Sequence, residues 1–193
     1  MIKKSLLLSF LLCSQSFLYG EKPHAVFVVG THHYSPQKSM PILASEIERL
    51  GFKTTVINPE WDPEKDERGL PGLEALKKAD LAIFYTRFLK IDNQQLIQIT
   101  DYLKSGKPVV GFRTSTHGFN YPDEHPNQNW NDGFGRDALG SPYLIHLSGP
   151  TRLKVEQGKK KHPVFSGVQA DENWESRGTL YLTKMEIGTT PLL

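Results

Sequence analysis

The sequence predicts an α/β domain on a mostly parallel sheet, covered on both faces, and three observations lead there. Short apolar, β-rich runs alternate with segments of helical period, the pattern that right-handed βαβ units produce. The first run, Ala25-Val26-Phe27-Val28-Val29-Gly30, is apolar on both of its faces, as a strand between two helical layers must be. The length, 193 residues, suits one such domain with a sizeable core.

After that first strand, Met40, Leu43, Ile47 and Leu50 recur at helical spacing and Gly51 marks a stop. Lys53–Ile57 alternates as a second strand. A loop rich in Pro, Asp and Glu, from Asn58 to Arg68, leads to a short helix carrying Leu73 and Leu76. Asp80-Leu81-Ala82-Ile83-Phe84-Tyr85 is the third strand. Asp92 and Gln95 have the spacing of a capping box, and the helix they open buries Leu96, Ile99 and Leu103 before Gly106. Pro108-Val109-Val110-Gly111-Phe112 is the fourth strand. Beyond Phe119 the pattern degrades: Asn120 to Gly135 is polar, with Pro122, Pro126, Trp130 and an Asn-Asp-Gly turn. A stretch of that length within a domain is functional or disordered more often than ordinary. Arg152–Glu156 and Leu180–Thr183 read as later strands, with Gly158-Lys159-Lys160-Lys161 between them as a solvated turn.

The first twenty residues stand apart. Met1-Ile2-Lys3-Lys4 is cationic, and the run from Leu6 to Leu12 is apolar but too short to cross about 30 Å of hydrocarbon as a helix. A charged start, a short apolar run and small or polar residues after it describe a secretory signal. Residues 1–20 are expected to be that signal and 21–193 the domain, with export to the periplasm or the extracellular space. Cys13 follows Leu12, where a lipoprotein signal carries a small residue. No later segment is apolar and long enough to suggest membrane insertion after cleavage.

Removing that segment changes the composition. Both surplus lysines, Lys3 and Lys4, and the only cysteine lie within it, and from Glu21 onward 21 basic residues face 21 acidic ones. Disulfide frameworks, zinc–thiolate or iron–sulfur sites and cysteine nucleophiles are thereby excluded. A nucleic-acid binder is disfavoured too, for want of a basic excess.

Ligands of open α/β sheets bind beyond the carboxyl ends of the strands. Those ends carry Thr31-His32-His33-Tyr34, Thr86-Arg87 and Arg113-Thr114-Ser115-Thr116-His117. Arg113 offers a permanent cationic fork, Arg87 a second one, and the backbone N–H groups of a tight strand-to-helix turn suit an oxyanion. His117 or His33 is the candidate proton carrier. Ser115 lies two residues from His117 in a segment without a G-x-S-x-G elbow, so it is read as a substrate contact rather than a nucleophile. Tyr34, Phe119, Tyr121 and Trp130 are the aromatic rings available for stacking on a ligand. A metal site would need His32 or His33 with His117, His146, Asp171 or Glu172, and no metal-ligand spacing supports one. His162 reads as structural. No G-x-G-x-x-G or P-loop points to a cofactor, and nothing specifies an oligomeric state.

Several segments together resemble the ThuA-like (trehalose utilisation) family: Gly30-Thr31-His32-His33-Tyr34, Ala79-Asp80-Leu81-Ala82-Ile83-Phe84, and Lys107 through His117. Phe134-Gly135-Arg136-Asp137-Ala138-Leu139-Gly140 and His162-Pro163-Val164-Phe165-Ser166-Gly167-Val168 extend the likeness. The resemblance implies a class I glutamine amidotransferase-like, flavodoxin-like three-layer sandwich and a link to sugar metabolism. It places the amidotransferase nucleophile at Arg113, so glutamine hydrolysis is not expected, and it carries over no established catalytic residue. Members continue past a segment like Thr189–Leu193 with another strand and a Gly-His loop, so the domain is expected to be truncated at its C-terminal end. Two readings stay open: an exported sugar-modifying enzyme with His117, Arg113 and His33 at its centre and Arg87, Ser115, Tyr34 and Trp130 around the substrate, or a non-catalytic carbohydrate-binding or interaction module on the same fold.

Overall fold

Alternate residues of the first strand divide the core in two. In the computed structural model, which describes residues 20–62, 67–168 and 174–193, strand β1 (His24–Gly30) turns Val26 and Val28 to one face and Ala25, Phe27 and Val29 to the other. All five side chains are fully buried. Such two-sided burial follows from the period-2 alternation of a strand whose residues are all apolar.

Helix α1 (Pro36–Arg49) covers the second of these faces, setting Met40 and Ala44 against Phe27, Val29 and Ile83. Strand β2 (Lys53–Ile57) then pairs in parallel with β1. A short antiparallel ribbon follows, β3 (Glu60–Asp62) with β4 (Glu67–Gly69). A 3₁₀ helix at Leu73–Lys78 crosses to the first face, burying Leu73 and Leu76, and β5 (Leu81–Thr86) pairs with β1 on the side away from β2. Helix α2 (Asn93–Lys104) covers the same first face with Leu96, Ile99 and Tyr102, and β6 (Val109–Gly111) pairs with β5.

The result is a four-stranded all-parallel sheet of order β2-β1-β5-β6. The chain leaves β1 toward β2 over one face and reaches β5 and β6 over the other. The switch lies between β1 and β5, the place where open α/β sheets bind their ligands beyond the strand ends. The four strands foreseen in the sequence are therefore present, each within one residue of its expected bounds, and so are the flanking helices, with α1 beginning earlier, at Pro36.

Half of the expected capping box of α2 is present: the Asp92 carboxylate accepts a 2.8 Å hydrogen bond from the Gln95 N–H, but the Gln95 side chain accepts from the Leu70 N–H at 3.2 Å instead of reaching back to residue 92. The stretch after Phe119 is better ordered than its polarity suggests. Phe119, Tyr121 and Phe134 are buried on the α2 face, and Trp130–Gly133 and Phe134–Ala138 form an α-helical turn running into a π-helical one. Gly135 lets that turn lie on the backbone of residues 113–117, where a β-carbon would collide with the Thr116 carbonyl oxygen. The later strands form separate antiparallel ribbons instead of joining the sheet. They are β7 (Tyr143–His146) with β10 (Tyr181–Thr183), and β8 (Thr151–Leu153) with β9 (Trp174–Ser176).

Residues 1–19, which carry the expected signal and Cys13, lie outside the described residues, as do Asp171 and Glu172. No helix among the described residues is long and apolar enough to cross a membrane.

Two substitutions test this packing. Asp92→Ala removes the cap and is expected to cost about 1 kcal/mol in urea unfolding, with Asp92→Asn recovering most of it. Gly135→Ala forces the two turns apart, so it is expected to lower the thermal midpoint more than Gly158→Ala does. Gly158 has open space around its Cβ position and only its positive φ to oppose an alanine.

Candidate functional site

A hydroxyl in the turn after β6 sets the geometry of the site. Residues Arg113–His117 form a 3₁₀ helix, and Ser115, fully buried, docks it on the end of β5. Its Oγ donates to the Phe84 carbonyl at 2.9 Å and accepts from the Thr86 N–H at 3.1 Å. The loop after β5 is tied to the same turn, because the Phe88 N–H donates to the His117 carbonyl at 3.3 Å and the Leu89 N–H to the Gly118 carbonyl at 2.8 Å. Gly118 permits this approach: a β-carbon there would lie 2.5 Å from Thr86 Oγ1. Arg87, Phe88, Arg113 and His117 are thus held together at the carboxyl ends of β5 and β6.

The loop after β1 completes the group. Tyr34 and Ser35 adopt left-handed backbone at φ 66° and 55°, and Phe88 does so at 51°. Three of the four described non-glycine residues in that region of backbone space therefore flank this crevice. Such conformations are costly for residues with a β-carbon and persist where surrounding structure enforces them, functional sites included. The Ser35 N–H donates to the His32 carbonyl at 3.0 Å, and the His33 N–H to Thr31 Oγ1 at 3.1 Å. This turn presents the Tyr34 ring, 59% exposed, with His33 edge-on to it at 4.1 Å.

Arg113 joins the two sides. Its guanidinium carbon lies 4.2 Å from the Tyr181 ring centre and 5.4 Å from that of Tyr34. It donates to the Thr179 carbonyl at 2.8 Å and to the Tyr34 hydroxyl at 3.2 Å. Beneath it His117, 8% exposed, packs its ring against Tyr143 at 4.5 Å, Phe88 at 5.1 Å and Tyr181 at 5.3 Å. Tyr143 in turn shares a 2.8 Å hydrogen bond with His146 Nδ1, and the Arg87 guanidinium carbon lies 4.2 Å over Phe88.

Burial holds His117 near pKa 4, well below the usual imidazole value, and the positive charges of Arg87 and Arg113 push in the same direction. The imidazole is therefore neutral at physiological pH and resists protonation. Its Nδ1 is buried with no hydrogen-bond partner among the described residues, which is uncommon for a buried polar atom.

The site residues foreseen in the sequence divide accordingly. His33, Tyr34, Arg87, Arg113 and His117 come together in the crevice. Ser115 does not face it: both its donor and its acceptor capacity are used in joining the turn to β5, and its side chain is closed to solvent. The N–H groups of Ser115 and Gly118 are also spent inside the turn, on the carbonyls of Phe112 and Ser115, so this turn is a poorer oxyanion cradle than a helix N-terminus would be. Trp130 lies on the α2 face, 5.3 Å from Phe119. There it lines a separate cavity of about 580 Å³ with Leu103, Lys104 and Lys107. Phe119 and Tyr121 are core residues as well. His162 caps the 3₁₀ helix at Pro163–Phe165 by accepting from the Val164 N–H at 3.2 Å.

Sequence reasoning missed Tyr143 and Tyr181 as site residues and took His146 only as a possible metal ligand. The pairing of β10 with β7 sets Tyr181 opposite His146, and only that long-range pairing brings the three to the crevice. Among the described residues no group of three or more His, Cys, Asp and Glu side chains is placed to hold a metal ion. Comparison with family profiles, with curated proteins and with solved structures finds no match for this chain.

The His117 environment has a direct consequence for stability. An unfolded chain takes up a proton at this histidine near pH 6.5, whereas the folded one resists until about pH 4. The stability associated with a neutral His117 is therefore complete above pH 6.5 and falls as the pH drops toward 4, by at most about 3 kcal/mol. Urea unfolding at pH 7 and pH 4.5 is expected to show that loss, and His117→Phe, which keeps the ring and removes the titration, is expected to lessen it. Ser115→Ala strands the Thr86 N–H and is expected to cost about 1–3 kcal/mol by the same measurement.

Proposed function

We propose that this chain is an exported ThuA-like domain of flavodoxin-like architecture that binds a sugar or sugar derivative in the crevice between β1, β5 and β6. The observation that carries the reading is the Arg113 guanidinium between the rings of Tyr34 and Tyr181, next to the neutral, buried His117. Rings with one open face suit the apolar face of a pyranose, and a forked donor beside them suits its hydroxyl oxygens. The strand order supports the fold assignment, since β2-β1-β5-β6 is the order of the first four strands of a flavodoxin-like sheet. The sequence landmarks support the family assignment: Arg113 replaces the amidotransferase cysteine and the domain holds no thiol from Glu21 onward, so amidotransferase chemistry has no nucleophile.

In a catalytic role His117 is the proton acceptor, a weak base in the free protein whose basicity rises when a bound anion offsets the arginine charges, while Arg113 orients the hydroxyl or oxyanion that reacts. The second reading, a binding module without turnover, is favoured by one specific observation. Among the described residues no carboxylate is found to act on His117, the fixed charges there being those of Arg87 and Arg113, so none of them orients it as the third member of a triad would.

Incubation with a panel of disaccharides and their keto forms, monitored for both binding and product, separates the two. For the enzyme reading, Arg113→Ala is expected to weaken binding about tenfold or more, the loss of a charged hydrogen-bonding group, while His117→Ala abolishes product with a smaller effect on binding. Binding without product, unchanged in His117→Ala, supports the module and contradicts the enzyme.

A further inference from the structure

The charge of the crevice departs from that of the chain as a whole. From Glu21 onward acidic and basic residues balance, yet among the described residues the fixed charges that act on His117 are those of two arginines, Arg87 and Arg113. Three other arginines face carboxylates, Arg49 with Glu46, Arg136 with Asp137 and Arg152 with Glu175. Arg87 and Arg113 face rings and carbonyls instead, and neither has a carboxylate partner among the described residues. Arg87 is half-buried against Phe88, where an unpaired cation keeps only part of its hydration.

Arg113 is held but not exhausted. A guanidinium has five N–H donors, and Arg113 spends one on the Thr179 carbonyl and one on the Tyr34 hydroxyl. The flanking rings fix its plane, so its remaining donors are preorganised for a forked acceptor. An uncharged sugar makes little use of such a field, because hydroxyl oxygens are weak partners for two fixed cations. A carboxylate or phosphate ester neutralises both.

We propose, building on the saccharide reading above, that the ligand is an acidic saccharide whose carboxylate or phosphate ester is bound by the free donors of Arg113, in the cationic field to which Arg87 adds. Its ring packs on the exposed Tyr34 side of the site.

Calorimetric titration of the full chain with methyl glucuronide, glucose 6-phosphate, methyl glucoside and inorganic phosphate tests this. At least one of the two acidic sugars is expected to bind ten times or more tighter than methyl glucoside, with an affinity that falls as sodium chloride is raised. Whichever acidic sugar binds more tightly identifies the anion as carboxylate or phosphate. Arg113→Met and Arg87→Met are expected to remove that preference, and the exposed, carboxylate-paired Arg136→Met to leave it intact. Arg113→Lys and Arg87→Lys, which keep the charge and lose the fork, are expected to retain part of it, and near-ultraviolet circular dichroism verifies that each variant is folded. Equal affinity for glucuronide, sugar phosphate and glucoside overturns the acidic ligand and leaves the saccharide reading standing. Phosphate binding without any saccharide binding overturns both, as does binding of none of the four.

Discussion

The Ser115 hydroxyl, bonded at once to the Phe84 carbonyl and the Thr86 N–H, is the contact on which the rest of the site depends. A parallel strand ends with unpaired backbone groups, and in a buried position these need partners. Ser115 supplies a donor and an acceptor from one small side chain and so locks the turn after β6 onto the end of β5. Residues on either side of it inherit their positions, Arg113 reaching across to Tyr34 and His117 turning under Tyr143 and Tyr181. Gly30 and Gly118 make room for the same junction, since a β-carbon at either would press on Thr86.

From that junction the electrostatics follow. Two arginines and several imidazoles gather where three loops meet, and neither arginine has a carboxylate partner among the described residues. Aromatic rings hold the arginines by cation–π contact, which fixes a cation in place without neutralising it. A salt bridge would have fixed it and cancelled its field. The neutral His117 reflects that uncancelled field together with its own burial.

Much of the scaffold was legible in the sequence because its signals are local. The apolar run of β1, the Leu96–Ile99–Leu103 spacing of α2 and the Asp92 cap each depend on residues a few positions apart. The ring cluster was legible only in part. His33, Tyr34, Arg87, Arg113 and His117 were found because each directly follows a recognisable strand. Tyr143, His146 and Tyr181 sit on short ribbons whose apolar residues Leu144, Ile145 and Leu182 are exposed, so no burial pattern announced them. Ser115 and Trp130 were misplaced for a different reason. A serine that satisfies backbone groups and a serine that meets a ligand are the same letter, and an aromatic residue in a polar stretch shows no face until the chain has folded.

The central claim is that the ligand meets Arg113 and His117, on the strand ends, and not the Trp130 cavity on the α2 side. It is tested most directly by recording the Arg Nε–H, His ring and Trp indole resonances by NMR while a binding saccharide is added. The expected result is saturable shifts at Arg113, Arg87 and His117 with the Trp130 indole unmoved. Shifts confined to Trp130, with the Arg113 and His117 resonances unchanged, would contradict the account.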